Sequence, residues 1–465
     1  MNDVVVIGGG VSGLAIAHDL MVNGHDVTLL ERQVQIGGNA RSLQQDGFLM
    51  ELGPTTMNAA LPGMSERLDE LNLNTGRLPL GPRVKKRYLA DQGRLSGIST
   101  NPAGFLLSNY LTLGGRARMM AELLVPRRKD GAEESVADFV SRRFGREFAE
   151  RVFEPMAAGI FMADSQQLSV QGAFPRLAGL EARHGSIIRA VLAAKRGSEP
   201  GRQLFSWPGG IATLPLRLAA LLGARVRSGV TVTGLKRRGA GFEVTTNKGT
   251  LTPDNIVLAV QPHVAAMLLE DIDPDAATAA ADIPAPPVAT CFFAYRRTQV
   301  AHPLDGLGFL STRSGGIISG AQFPSTMFAG RAPDEFVSIS AYLGGARRAD
   351  LAVLPARDLL PLVEQELKEL LGIKGAPVIA RAHHWPIGLP HYTLGHAARR
   401  AVLEATPERL PGLYLTGNYL SGVSLSSCLE QAKSVAGRLK TDRKSSLNQH
   451  NPPLSGIPVG IQSAG

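Results

Sequence analysis

Cysteine is nearly missing from this sequence: Cys291 and Cys428 are the only two in 465 residues. They lie far apart and form no CxxC pair. Neither a disulfide framework nor a dithiol centre is supported, and a reducing compartment fits. Aromatic residues are also scarce, at 5%. No zinc-ligand spacing appears and no metal site is expected. Nucleic acid therefore ranks last among the partners that a net charge of +9 allows, and no nucleic-acid binding is expected. The other readings of that charge are a solvated arginine-rich surface, an anionic substrate or anionic lipid. No apolar run reaches the length of a membrane span, so any membrane contact is expected to be peripheral. The apolar start carries Asp3 where a signal peptide has a basic region, and it lacks a convincing cleavage site. What remains is ordinary globular material, 44% hydrophobic and 19% charged. The chain is long enough for two or three domains.

Residues 3–31 organise the rest. Val4-Val5-Val6-Ile7 reads as a buried parallel strand, and Gly8-Gly9-Gly10-Val11-Ser12-Gly13 as a tight turn entering a helix. Asn23-Gly24 stops that helix, and the run from Asp26 ends a second strand on Glu31. Gly8 permits the turn, Gly10 admits a pyrophosphate to the backbone, and Gly13 lets helix and strand pack closely. The helix N-terminus faces the diphosphate, and Glu31 accepts hydrogen bonds from ribose hydroxyls. A lone GxGxxG is weak; here strand, helix, second strand and acid are all in register. Arg32 follows, and then a second glycine pair, Gly37-Gly38, with Asn39 and Arg41. Read alone, this is equally an ordinary turn with a surface arginine. A short strand next enters the turn Gly53-Pro54-Thr55-Thr56. The whole pattern resembles the FAD-binding start of glutathione-reductase-like flavoproteins and disfavours a nicotinamide domain.

The expected fold is therefore α/β: an FAD-binding Rossmann domain, an antiparallel-sheet substrate domain and an inserted helical domain. Residues 1–60, 206–270 and 381–443 are assigned to the FAD domain, and 61–88 and 271–380 to the substrate domain. Residues 89–205 form the helical insert, where strand alternation gives way to helical patterning with basic clusters such as Arg127-Arg128-Lys129. Ser135 reads as a helix cap. The insert's apolar and basic face suits an anionic membrane surface or, equally, its own domain. A helix is expected over 214–222, a hairpin over 242–251, antiparallel strands over 289–345 and a helix over 354–371. A late strand, glycine turn and helix, 412–439, closes over the flavin, and a polar tail from 444 is expected to be disordered.

With both ends read, the chain resembles the FAD-dependent protoporphyrinogen oxidase family from its first residue to about Leu439. The most specific stretches are Glu154-Pro155-Met156-Ala157-Ala158-Gly159-Ile160-Phe161, Gly306-Leu307-Gly308-Phe309-Leu310, Tyr342-Leu343-Gly344-Gly345, Leu389-Pro390-His391-Tyr392 and Gly417-Asn418-Tyr419. His391 departs from the family's usual glutamine, and Ala163 from a frequent glycine. The resemblance implies that non-covalent FAD is surrounded by Gly8 to Gly13, Glu31, Arg32, Asn39, Gly53 to Thr56, Val232, Trp385, Gly422, Val423 and Ser424. Arg41 joins this set as a partner of the diphosphate. It further implies that Arg87 pairs with a substrate propionate and that Leu307, Leu310 and Tyr342 sandwich a tetrapyrrole. The Gly159 carbonyl would face the pyrrole N–H groups, as the catalytic contact. Without the resemblance, the two leucines read as sheet core, Arg87 as a solvated base and Trp207 as core.

The implied reaction is oxygen-dependent oxidation of protoporphyrinogen IX by hydride transfer to the flavin, in porphyrin and haem biosynthesis. No Ser/His/Asp, Cys/His or paired-carboxylate set appears, which suits a hydride abstraction. Coproporphyrinogen III is the alternative substrate, given the extra bases Arg83, Lys85 and Lys86. An amine oxidase or carotenoid desaturase shares the fold, and a non-catalytic carrier is the reading from another class. Expected partners are a porphyrinogen, dioxygen and peripherally an anionic membrane, with a homodimer left open. The expected location is the cytoplasm, with or without contact to the inner face of the cell membrane.

Overall fold

The computed structural model describes residues 3–98, 105, 108–128, 130–193, 203–420 and 422–450, with side chains to residue 440. Lys129, Ser421 and the tail from 451 lie outside the described residues.

The first sheet has five parallel strands in the order Val226–Ser228, Val27–Glu31 (β2), Val4–Ile7 (β1), Asn255–Leu258 and Leu413–Leu415. Apart from the edge strand Val226–Ser228, whose Arg227 and Ser228 are exposed, its strands are largely apolar because both faces are covered. Helix α1 (Val11–Val22) and the helix Leu425–His450 cover one face, in a core that includes Leu14, Leu20, Leu429 and Ala432. A three-stranded antiparallel sheet and the helix Pro262–Leu269 cover the other, meeting Val5, Ile7 and Leu30. Each such fully buried Leu, Ile or Val contributes about 1.5–3 kcal/mol of transfer free energy. The closing helix runs on to His450, past the expected end near 439, because no Gly or Pro interrupts it there.

The second sheet has seven strands: Ile379–Trp385, Val288–Arg296, Phe336–Gly344, Gly320–Gln322, Gly306–Ser311, Lys86–Asp91 and Arg94–Ile98. It is not purely antiparallel as expected, because Gly306–Ser311 runs parallel to Lys86–Asp91. Only a long crossover can join a parallel pair, and here the helical segment and half the first domain lie between them. Residues 89–98, expected within the helical insert, instead complete a hairpin at the sheet edge. One face packs under the helix Ala356–Leu371 around Phe293, Phe309, Ile339 and Val363.

The helical segment crosses the opposite face. Ser135 caps the helix Val136–Phe144 by accepting from the Asp138 N–H, as expected. A π-helical turn, Ala149–Phe153, leads into the helix Glu154–Phe161. Pro155 cannot supply an N–H to the Arg151 carbonyl, and the Tyr110 hydroxyl donates to it instead, at 3.0 Å. The Arg143–Glu122 ion pair is fully buried, and Glu122 also accepts from the Ile187 and Ile188 N–H groups that begin another helix. Both cysteines are free and buried.

Candidate active site

Two glycine loops meet at the end of β1. The chain turns at Gly8, φ 111°, and enters α1 with Gly10 as N-cap and no side chain on its first N–H groups. Such an uncapped N-terminus is an anion site. Gly13 is held against the turn: a Cβ there would lie 1.8 Å from the Gly8 carbonyl oxygen. Gly10 differs, since a Cβ on it would meet only the Gly38 Cα, at 3.9 Å, so its backbone stays approachable. The second loop is tied to the first by the Gly37 N–H on the Gly9 carbonyl, at 2.8 Å. The Glu31 carboxylate accepts from the Gly9 N–H at 2.6 Å and from the Gln33 N–H at 2.8 Å. Each of its oxygens keeps a lone pair for a hydroxyl. Val11 and Ser12 are buried in the first turn of α1. Val232 reaches the same end of the sheet, because the nearby Val230 N–H donates to the Glu31 carbonyl at 2.9 Å. Arg32 is exposed, and its charge helps burial to lower His263. Arg41 is half-buried with its guanidinium 5.8 Å from the Trp385 ring centre, and its buried Nε has no hydrogen-bond partner.

The next turn joins the two sheets. The Leu52 carbonyl accepts from the Trp385 indole at 2.7 Å and from the Thr290 hydroxyl at 3.1 Å, which pins Gly53-Pro54-Thr55-Thr56 to the seven-stranded sheet. On its other side Gly53 presses on the second glycine loop, where a Cβ would lie 2.2 Å from the Asn39 carbonyl oxygen.

Register then lays out the face beneath this turn. Residues paired across strands share a face. His383, Thr290, Tyr342, Gly320, Leu310 and Leu89 form one such row. Trp385 and Arg87 stand two residues along their strands from His383 and Leu89, hence on the same face. Tyr342 is half-buried and donates from its hydroxyl to Gln322 Oε1 at 3.0 Å. Burial, with Glu51 nearby, pushes that phenol well above its ordinary range and keeps it neutral. Leu307 and Leu310, three apart, would alternate in a regular strand. The register shifts between Gly306 and Phe309, with Gly308 at φ 143°, and this bulge breaks the alternation. Both leucines are half-buried rather than core, and Arg87 is half-buried rather than solvated. Trp207 is core, its indole on the Leu73 carbonyl at 2.9 Å.

The helix Glu154–Phe161 comes down on this row. A Cβ on Gly159 would lie 2.2 Å from Leu310 Cδ2, so leucine and glycine backbone touch. The chain turns left-handed at Met162, φ 53°, and the last helical bond runs from the Met162 N–H to the Ala158 carbonyl. That leaves the Gly159 carbonyl among those the helix does not satisfy. His391, behind the helix end, is pushed down to about 4 by burial, against the pull of the Phe161 and Met162 carbonyls. The closing turn joins from the other domain: Val423 packs on the helical core containing Phe161, and Gly422 donates to the Tyr392 hydroxyl. Ser424 is exposed and leads into the helix Leu425–His450.

His383, Gln322 and Tyr392 were not among the expected site residues. His383 had a signal, since period-two alternation from Trp385 reaches it. Gln322 and Tyr392 are placed by register and loop contacts that leave no local trace.

The cradle fits FAD: an uncapped helix start, an approachable glycine backbone, an acid at the second strand and an orphaned arginine nitrogen. Fold and site together define an FAD-dependent oxidoreductase. The chain belongs to the flavin-containing amine oxidoreductase family, whose model matches residues 11–440. It is 28% identical to a chloroplastic protoporphyrinogen oxidase of Nicotiana tabacum, over 94% of this chain and 85% of that one. It is 26% identical to a coproporphyrinogen III oxidase of Bacillus subtilis (strain 168), over 93% and 96%. Among solved structures, a protein of Exiguobacterium sp. 255-15, provisionally assigned as a protoporphyrinogen oxidase, superposes with a TM-score of 0.82 at 24% identity, covering 94% of this chain and 98% of that one. Putrescine oxidase bound to putrescine shares the fold, with a TM-score of 0.71 at 16% identity over 95% and 99%.

Proposed function

We propose that this protein oxidises protoporphyrinogen IX to protoporphyrin IX, with dioxygen as the final acceptor. The observation that carries the reading is the sheet face, where Tyr342 and Leu310 share a row beside the flavin turn, with Arg87 at its basic end. A porphyrinogen is a large, mostly apolar ring with carboxylates at one edge. It calls for aliphatic and aromatic walls, one or two arginines and few other charges. Leu307, Leu310 and Tyr342 supply the walls. The Arg87 guanidinium takes a propionate and so fixes which edge of the ring points outward. The chemistry FAD supplies when bound is two-electron oxidation, a hydride from a bridging methylene carbon being taken at N5 and the electrons passing to dioxygen. The Gly159 carbonyl accepts from a pyrrole N–H and orients the nitrogen whose proton leaves as the neighbouring carbon is oxidised. Leu310 turns aside from Gly159 to admit the ring. Tautomerisation between rounds lets one position serve all three successive oxidations.

Anaerobic mixing of the purified protein with protoporphyrinogen IX is expected to bleach the flavin, and an unchanged spectrum would overturn the reading. Coproporphyrinogen III is the second reading, favoured by the exposed Arg83, Lys85 and Lys86 next to Arg87. Parallel turnover of the two porphyrinogens, with oxygen uptake followed, decides between them.

Membrane contact, if it accompanies this activity, belongs on the helical segment. There Leu113, Leu124 and Leu192 are 78%, 83% and 75% exposed, with Arg127, Arg128 and Arg189 also exposed. Among the described residues no helix is long and apolar enough to cross a membrane. Co-sedimentation with anionic but not neutral vesicles, lost in Leu124→Glu, is the expected outcome.

A further inference from the structure

We infer that Tyr392 is a positioning residue that sets the closing turn, at Asn418 and at Gly422 to Ser424, against the helical segment; this rests on the reading that the turn lies at the flavin. The residue carries no part in the chemistry above, yet it is tied on three sides.

Its main chain belongs to the helical side. The Ser169 N–H donates to the Tyr392 carbonyl at 2.8 Å, the Leu394 N–H donates to the Gln167 carbonyl at 2.9 Å, and Leu168 and Thr393 form an antiparallel bridge. Its ring is clamped: His396 stacks on it at 4.1 Å with 9° between the planes, and Phe161 lies 6.2 Å away, at the end of the helix that carries Gly159. Its hydroxyl crosses to the other domain, where it donates to the Asn418 carbonyl and accepts from the Gly422 N–H at 2.7 Å. One oxygen thus satisfies two backbone groups of the same turn, at either end of it. Tyr392 is buried and Asn418 and Gly422 are half-buried, so losing that oxygen would break both bonds and release the two backbone groups from their shared anchor. Val423, the next residue of the turn, packs on the same helical core. The hydroxyl therefore fixes where the Gly422-Val423-Ser424 backbone lies relative to Gly159, which is to say flavin edge relative to substrate carbonyl. A misplacement of this kind is costly in rate, since reacting atoms must be held within a narrow range.

A residue that only packs would weaken the apoprotein and the FAD-loaded protein equally, and by linkage would leave FAD affinity unchanged. A residue that positions the turn would not. The test is Tyr392→Phe in the full chain, which keeps the ring and its stacking. FAD affinity, read by fluorescence titration of the apoprotein, is expected to fall about ten-fold, as for one lost buried hydrogen bond pair. Single-turnover bleaching of the FAD-saturated variant by protoporphyrinogen IX is expected to slow by about as much. Phe161→Leu is the paired control: it removes the other ring packed on Tyr392, lowers the stability of both forms alike, and leaves FAD affinity within about two-fold. Unchanged FAD affinity in Tyr392→Phe overturns the inference, whatever happens to the melting temperature. So does a loss of affinity in Phe161→Leu as large as in Tyr392→Phe, because packing alone would then account for both. The binding arm uses FAD alone and so stands whichever ring is the substrate. Wild-type protein that takes up no FAD would sink the cofactor assignment instead.

Discussion

The glycine cradle and the sheet face beneath it are built by opposite means. In the cradle the working groups are mostly backbone, brought together by thirty-odd consecutive residues: the N–H groups after Gly10, the Gly9–Glu31 contact and the Gly37–Gly9 bond. Side chains matter there chiefly by being absent. On the sheet face the candidate groups are side chains from strands up to 298 residues apart in sequence, as Arg87 and Trp385 show, aligned only by register. The cradle should therefore fail abruptly when a single atom is added. The face should degrade in steps, each residue affecting its own part of the substrate.

The largest break is expected at Gly13→Val. A Cβ 1.8 Å from the Gly8 oxygen forces helix and strand apart, at a cost of about 3 kcal/mol or more. The purified protein is expected to carry no flavin absorbance, and full flavin occupancy would refute the packing argument. Arg87→Ala tests the face: the porphyrinogen KM should rise roughly ten- to a hundred-fold, the worth of a charge-assisted hydrogen bond, with flavin content unchanged. Lost flavin in that variant would mean that Arg87 belongs to the cradle and that the two regions are not separable. Gly159→Ala sits between these. Its Cβ meets only the flexible end of Leu310, so stability should fall by about 1–2 kcal/mol while kcat falls about ten-fold. Adding Leu310→Ala should restore stability but not kcat.

A smaller effect sharpens the same contrast through pH. Burial lowers His391 and His396 to about 4, from an ordinary value of 6.5. Unfolded chains bind protons there that the folded protein does not, so these groups cost stability as pH falls from 6.5 towards 4. The slope is about 1.4 kcal/mol per pH unit for each group at most. Glu51, raised to about 7 chiefly by burial, acts in the opposite sense as pH falls through that value. The informative quantity is therefore the difference between wild type and His391→Gln in urea midpoints at pH 7 and pH 5. The variant should lose less on acidification, and an equal loss would mean that His391 is not held neutral. Smallest in its effect on function, Trp207→Phe should cost about 2–4 kcal/mol of stability, for its bond to the Leu73 carbonyl and the cavity left behind, and leave flavin and turnover alone.

The same division explains what could be read in advance. The β-α-β start, the capped helix at Ser135, the hairpin near 247 and the helix Ala356–Leu371 all appear where the residues suggested. Each is specified by neighbours within a few turns of chain. A hairpin at Asp46-Gly47 went unread although its signal was present: both residues have positive φ, at 50° and 78°, as a tight two-residue loop requires. It matters because Phe48 packs on Phe292 at 6.3 Å and seats the Gly53-Pro54-Thr55-Thr56 turn on the sheet. The parallel pairing of Gly306–Ser311 with Lys86–Asp91 had no local signal at all.

By itself the sequence determined the β-α-β start with its glycine turn, the scarcity of cysteine and the helical character of the central segment. All of these depend on contacts between near neighbours or on composition. Only the tertiary structure decided that Tyr342, Leu310 and His383 share one row, that Leu310 rests on Gly159, and that the Tyr392 hydroxyl reaches the turn from Asn418 to Gly422. Those depend on register and on loop closure over hundreds of residues, where one residue of slip would turn each strand's other face into the row.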